Sequence, residues 1–411
     1  MDSAGKVYGQ WFGRTVICSA FRFAYEEAQQ IIDAGGDMTA YKPVMHTGNI
    51  PSKDVILSVL ELHKLATVLR KKRFQDGSIS FERPEMKVLV DEKGRPVDVV
   101  QKVTKSANWL IEEFMLLANK AVATYVATAI RKDAPTFVYR VHDEPNMEKV
   151  AELKTFVKYF GYKLEAENPK QLARSLNRLV EQIHGKPECD SIELLALRCM
   201  ARAQYTTDNI GHYGLGFRYY THFTSPIRRY PDMMVHRLLT RYLNGDKSAD
   251  KASFEEYCRH SSQREQMATE AERSSIKYKM AEYMKERIGQ VYEGTVTGVT
   301  EWGLYVQVEP TRIEGMVALR ELTDDYYQFD EKTFSVFGKS SGRRFTLGNK
   351  VKVQVMRASL EQKTIDFSLV AQEEEEPAEK YGILTEEEYE KKSAKGKKGA
   401  RKTESKTRKK K

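Results

Sequence analysis

At Gly289 the spacing of apolar residues changes, and that change limits what the chain can fold into. Upstream, most apolar residues recur at helical spacing; downstream, as far as Val370, short runs alternate apolar and polar. Residues 291–299, 304–308, 315–318, 350–356 and 364–369 read as strands, and five short strands in about 80 residues predict a small closed barrel. The stretch 324–343 is longer than a minimal barrel needs.

Upstream, an amphipathic pattern over 25–32 stops at Gly35-Gly36, and a second over 53–72 ends in the basic run Arg70-Lys71-Lys72-Arg73. Residues 6–8, 15–18, 77–81, 86–91 and 96–100 read as extended, with Lys93-Gly94 at one turn. Ser106 is a natural cap for a helix running to about residue 130. Leu110, Ile111, Phe114, Met115, Leu116 and Leu117 make that helix apolar on most sides, so it is expected to be buried and central. Residues 137–141 are extended, most of 146–205 is helical, and further helices are expected from Pro226 and over 253–287. The class is α+β, with domain limits expected at 1–287 and 288–371 and a disordered tail at 372–411.

Charge is unevenly placed. The 411 residues carry a formal +9, of which 391–411 contribute +11 (twelve Lys/Arg, one Glu) and 372–390 contribute −8 (nine Glu, one Lys), so the remaining 371 residues carry +6. The tail lysines suit salt-sensitive contacts to phosphates, a plain solubilising tail being the alternative. No 18-residue apolar run is present, the longest candidate being broken by Asn119-Lys120, so no membrane partner is expected. Residues 1–6 hold no apolar signal core, and the four cysteines contain no C-x-x-C pair. Those features point to a cytoplasmic protein without a disulfide framework or zinc site.

The most informative stretch runs from His212 to Tyr230 and ends Thr224-Ser225-Pro226-Ile227-Arg228-Arg229-Tyr230. Ser225 reads as an N-cap and Pro226 as the first helical residue. Free N–H groups at such a helix start attract an anion, and Arg228-Arg229 add bidentate donors beside it. With aromatic faces around them, the chemistry fits a phosphodiester chain; a capped helix with surface arginines and core tyrosines fits equally.

Thr224–Tyr230, with Asp232 and His236-Arg237-Leu238-Leu239, resembles the signature of the RNB family, the ribonuclease R and ribonuclease II exoribonucleases. Phe81-Glu82-Arg83-Pro84, Leu110-Ile111-Glu112-Glu113-Phe114-Met115, Ala271-Glu272-Arg273 and the run Arg70-Lys71-Lys72-Arg73-Phe74 resemble further family blocks in the same order, over residues 5–371. The resemblance implies processive 3′-to-5′ hydrolysis of RNA to nucleoside 5′-monophosphates, with Mg²⁺ as cofactor and single-stranded RNA 3′ ends as partner. No obligate protein partner is inferred. It implies that Arg228 sits at the scissile phosphate, Glu112 at the 3′-terminal ribose, Phe81 against a base near the 3′ end and Glu272 near the leaving nucleotide. Arg229 and Tyr230 belong to the same RNA-binding segment. Each has a plainer alternative: an ion pair for Arg228 and Glu112, a core ring for Phe81, a solvated helix face for Glu272.

The barrel segments Trp302-Gly303-Leu304-Tyr305-Val306 and Glu314-Gly315-Met316-Val317 resemble an OB-type RNA-binding module, which implies stacking on Trp302 and Tyr305 with Arg312 and Arg320 near the backbone. Alternation sets Tyr305 on the face opposite Leu304 and Val306. One departure matters. The family's two-metal hydrolysis needs clustered aspartates, and no such cluster occurs in the sequence; Asp324-Asp325 is a loop pair and Asp232 stands alone. The expectation is therefore a partial RNB domain, beginning inside the catalytic domain and without the cold-shock barrels, that binds RNA but hydrolyses it poorly. The alternative is a non-catalytic RNA-binding protein.

Overall fold

The computed structural model describes residues 1–44, 50–79, 85–130, 133–186, 188–330 and 335–370. Phe81 and the charged tail 372–411 lie outside these residues. In chain order the elements begin with α1 (Tyr25–Asp33), α2 (Lys53–Gln75), β1 (Glu85–Val90), β2 (Pro96–Lys102), α3 (Ser106–Thr128) and β3 (Tyr139–Val141). Next come α4 (Met147–Tyr159), α5 (Pro169–Ile183), α6 (Cys189–Cys199), β4 (Gln204–Thr206), α7 (Tyr230–Leu243) and α8 (Lys251–Lys285). The strands β5 (Val291–Val299), β6 (Gly303–Val308), β7 (Ile313–Ala318), β8 (Tyr327–Asp330), β9 (Ser335–Gly338), β10 (Arg344–Thr346), β11 (Lys350–Ser359) and β12 (Thr364–Leu369) complete the order. These elements form two compact units: one takes residues up to 79, 103–144 and 201–269, the other 85–102, 145–200 and 270–370.

In the first unit α1 and α2 pack against α3. The core gathers Val122, Ala123 and Val126 of α3, Phe137, Tyr139 and Val141 around β3, and Val235, Leu238 and Leu239 of α7. Burial of each Val, Leu or Phe among these stabilises the fold by roughly 1.5–3 kcal/mol. α3 is not buried all round as its composition predicts. Its inward side is Ala107, Leu110, Glu113, Asn119, Val122, Ala123 and Val126, while Ile111 and Met115 are exposed. Residues 6–8 and 15–18 are irregular rather than extended strands, and Val16 and Ile17 face solvent. β-type residues without a neighbouring strand to pair with do not hold that conformation.

The second unit holds the expected barrel, closed in the order β11-β12-β7-β6-β5, with β12 and β7 parallel and the other pairs antiparallel. Val296, Leu304, Val306, Val308, Ile313, Val317, Val353, Val355 and Phe367 fill it. Gly315 is required in β7 because the Phe367 ring lies across it; a Cβ there would meet that ring at 2.5 Å. The long insert folds into a three-stranded sheet, β10-β9-β8, between β7 and β11. In α5, Asn168 accepts a 2.9 Å hydrogen bond from the Gln171 N–H ahead of Pro169, and Leu172, Leu176, Leu179 and Ile183 bury one face.

Candidate functional site

In the first unit the last turn of α2 delivers Arg73 to α3. Its Nε lies 3.1 and 3.2 Å from the two Glu113 oxygens and its Nη2 2.5 Å from Oε1, while the same Nη2 donates to Glu112 Oε1 at 3.1 Å. The Glu113 side chain is 3% exposed and that of Glu112 45%, so the buried acid of the pair is Glu113. Arg73 Nη1 also donates to Ser78 Oγ (2.9 Å), which donates to Gly214 O (3.2 Å). A single guanidinium thus joins α2, α3 and the 212–217 loop.

Asn119 lies seven residues after Glu112, on the same side of α3. Its Oδ1 accepts from the Phe223 N–H (3.0 Å) and the Thr224 N–H (3.2 Å), and its Nδ2 donates to Tyr220 Oη (3.1 Å). These bonds fix the chain just before Ser225. After it, the fully buried Asp232 accepts from the Ser225 N–H (2.7 Å) and pairs with Arg229 through Nη2 (3.0 Å) and Nε (2.9 Å). His236 stacks on Phe223 at 4.1 Å and hydrogen-bonds its carbonyl.

The helix expected from Pro226 begins instead at Tyr230, with Pro231 in its first turn. Residues 225–229 form a turn in which Ser225 O accepts from the Arg228 and Arg229 N–H groups, so those donors are not free for an anion. Asp232 drives this geometry by drawing Ser225 and Arg229 inwards together. Arg229, expected as an RNA contact, is spent on that internal pair. Arg228 is exposed, and its side chain makes no hydrogen bond or ion pair among the described residues. Ile227 and Tyr230 are exposed beside it.

Behind the turn lies a neutral aromatic layer. His222 Nδ1 is 2.8 Å from Tyr205 Oη, and His142 and His212 stack at 5.2 Å. Burial, then neighbouring cations, pushes His222 down to about 2. Burial first, then His142 and Arg140, pushes His212 down to about 3. Both imidazoles are therefore held neutral at pH 7. A cavity of about 310 Å³ opens near Lys72, Asp76, Leu116, Lys120 and Phe217. The Lys120 ammonium lies 4.6 Å over the Phe217 ring; desolvation lowers its pKa, Asp76 opposes that and Lys72 adds to it.

In the second unit Trp302 is exposed at the turn between β5 and β6, and Tyr305 stands on the outer face of β6 opposite Met316. Neither ring fills the barrel. Gly298 lies beneath Tyr305, and a Cβ there would approach the ring to 3.2 Å. Arg320 is exposed, 3.7 Å from Glu321. Arg312, expected near the RNA backbone, pairs with Asp190. Glu272 is exposed on α8 and belongs to this second unit, whereas Glu112 and Arg228 belong to the first.

Pattern reading passed over Arg73, Asn119 and Lys120 as site residues. The interruption of an apolar run by Asn119-Lys120 was the available signal, since a polar pair in such a helix needs a partner.

A pair of Mg²⁺ ions needs clustered hard oxygens. Among the described residues, the group close enough to share an ion is Cys189, Asp190 and Glu193. Asp190 is taken by Arg312, and burial pushes the Cys189 thiol up to about 11, a poor donor to a hard cation. In the first unit Glu113 and Asp232 are spent on Arg73 and Arg229. The described residues do not fit a pair of Mg²⁺ ions.

Residues 1–245 match the RNB domain and residues 285–369 the S1 RNA binding domain. Ribonuclease R of Aquifex aeolicus is 37% identical over 372 residues, covering 90% of this chain and 51% of its own. Ribonuclease R of Escherichia coli is 32% identical over 415 aligned positions, covering 98% and 49%. The chain spans about half the length of the curated relatives it matches. Mycoplasma genitalium RNase R, solved with ribose methylated single-stranded RNA, superposes with a TM-score of 0.75 at 22% identity, covering 85% of this chain and 53% of that one. Yeast Ssd1, described as a pseudonuclease, superposes with a TM-score of 0.53 at 22% identity, covering 75% and 37%. No described helix is long and apolar enough to cross a membrane.

Proposed function

The chain belongs to the RNB family, and on that premise we propose that it holds the 3′ end of single-stranded RNA for 3′-to-5′ hydrolysis to nucleoside 5′-monophosphates, the ribonuclease R type of activity. The observation that carries this reading is Arg228: an exposed guanidinium, free of any side-chain partner among the described residues, on a turn locked by Asp232. A guanidinium held in that way grips a phosphate and stabilises charge developing on it. Glu112, half-exposed and steadied by Arg73, accepts hydrogen bonds from the hydroxyls of the terminal ribose, which deoxyribose offers in smaller number. Tyr230 offers a stacking face beside Arg228, and Trp302, Tyr305 and Arg320 take the strand on the S1 domain. Phe81 and Glu272 keep the roles the family resemblance implies. The domain limits are read at 287/288 and 371/372, and the activity is placed in the cytoplasm.

The family's hydrolysis is Mg²⁺-dependent, and no step of it is assigned to the described carboxylates. The chain alone is therefore read as binding RNA without cutting it. Incubation of the chain with Mg²⁺ and a 5′-labelled single-stranded RNA tests this. A complex that prefers a ribose over a deoxyribose 3′ end, weakened in Arg228→Ala and without laddering, supports it. Laddering from the 3′ end overturns the inactivity, and indifference to the terminal sugar overturns the assignment of Glu112. The commitment of Glu113 and Asp232 to arginines also favours a second reading, a non-catalytic RNA-binding protein. Supplying the aspartate-bearing segment of a ribonuclease R in trans separates them, since only the first reading gains trimming.

A further inference from the structure

The sheet β8–β10 has an outer face that neither the barrel core nor the 3′-end site uses. Its inward residues Tyr327, Val336 and Phe345 are buried in the core cluster of the barrel. Alternation turns Gln328, Phe337 and Arg344 outwards, and the register sets them side by side across the three strands. Two residues further along, the same face carries Tyr326 and Lys339, joined by a 3.1 Å bond from the Lys339 N–H to Tyr326 O. The Lys339 ammonium lies 4.7 Å from the Tyr326 ring centroid and the Arg344 guanidinium 6.0 Å from that of Phe337. Tyr326 is 68% exposed.

The arrangement is held from one end. Asp325 accepts from the Ser340 N–H (2.9 Å), the Ser341 N–H (2.7 Å) and the Ser341 hydroxyl (2.6 Å), which closes the 338–343 turn and keeps Lys339 over Tyr326. Gly338 admits that carboxylate, since a Cβ there would lie 2.3 Å from Asp325 Oδ2. The Ser341 hydroxyl, with backbone N–H groups, holds the Asp325 carboxyl far below the usual carboxylate range.

We propose that this face is a second binding surface for single-stranded RNA, with bases stacking on Tyr326 and Phe337 and phosphates meeting Lys339 and Arg344. The proposal rests on reading the chain as RNA-binding, but it needs neither Arg228 nor a free 3′ end. Two rings each flanked by a cation, on rows roughly 7 Å apart, offer a π-face and a phosphate contact per nucleotide. An anionic membrane is a poorer match, because Asp324 and Asp330 interrupt the basic residues and no apolar ridge stands out to insert.

The test uses the full chain and a fluorescein-labelled single-stranded RNA with a 3′-phosphate, read by anisotropy. The double variant Tyr326→Ala/Arg344→Gln is expected to bind about tenfold more weakly, and Tyr326→Phe to keep the wild-type affinity. Lys339→Gln is expected to lower the salt slope by about 0.7. 4-Thiouridine RNA is expected to cross-link within residues 326–344. Wild-type affinity in the double variant, cross-links confined to other segments, or loss of binding to phosphatidylglycerol vesicles while RNA binding is kept would each overturn the proposal. Loss of 3′-end preference in the wild-type chain overturns the reading of Arg228 and Glu112 and leaves this surface standing.

Discussion

Arg73 and Arg228 show how differently two arginines of one unit are used. Arg73 neutralises a buried glutamate, so Arg73→Met leaves Glu113 uncompensated and is expected to cost about 3–5 kcal/mol in urea unfolding. Arg73→Lys should recover only part of that, because an ammonium cannot serve Glu112, Glu113 and Ser78 at once. Arg228→Ala should change stability by no more than about 0.5 kcal/mol while weakening binding to a free 3′ end roughly tenfold. The histidines add a pH signature. His212 and His222 are held neutral in the fold, at about 3 and about 2, against about 6.5 when unfolded. Below pH 6.5 the unfolded chain takes up protons that the folded one refuses, so stability is full above that value and falls as pH drops through it. The slope approaches ~1.4 kcal/mol per pH unit for each imidazole. Urea midpoints at pH 7.5, 6 and 5 check this, and His222→Phe should flatten the decline. Motif reading named Glu112 and not its neighbour Glu113, because hydropathy does not distinguish the two; only the phase of α3 decides which is buried and meets Arg73.

At the scale of elements, Gly315 tests the barrel. Gly315→Ala drives a methyl into the Phe367 ring and is expected to destabilise the second unit by about 1–3 kcal/mol, whereas Gly9→Ala, with open space around it, should be silent. Thermal unfolding of the two variants side by side checks the contrast. The barrel was readable because its strands obey a two-residue period with one buried face, so local pattern and tertiary packing agree. The start of α7 was not. Ser225-Pro226 and Arg229-Tyr230-Pro231 offer competing helix starts, and the choice between them is made by Asp232, whose bond to Ser225 spans seven residues. Residues 6–18 misled in the opposite sense, since β-type side chains state a propensity and say nothing about a partner strand. The sheet in the 324–343 insert was visible as surplus length, but its outer face follows only from register.

For the whole molecule, charge is the quantity whose meaning changes most. The sum is +9 = 6 − 8 + 11, and within the +6 of the body Arg73, Arg140, Arg229 and Arg312 are each taken by a carboxylate. The other Lys and Arg of the body are nearly balanced by its Asp and Glu, so no broad positive field arises and body affinity should come from placed groups such as Arg228, Lys339 and Arg344. Phosphate contacts by residues 391–411 would add affinity by a different route, local neutralisation with release of counterions. A chain ending at Val370 separates the two accounts. It loses segments of −8 and +11, so its net charge falls by only 3, from +9 to +6. If net field governed binding, that change would barely move the dependence on salt. If the basic segment makes its own phosphate contacts, each one lost lowers the slope of log K against log salt by about 0.7 for a single strand. Loss of several such contacts is therefore expected to shift the slope by several units between 50 and 300 mM salt, while the preference for a ribose 3′ end is kept. Anisotropy titrations of the two chains across that range decide it: a shallower slope for the shortened chain supports phosphate contacts by the tail, and equal slopes would remove the tail from the binding surface.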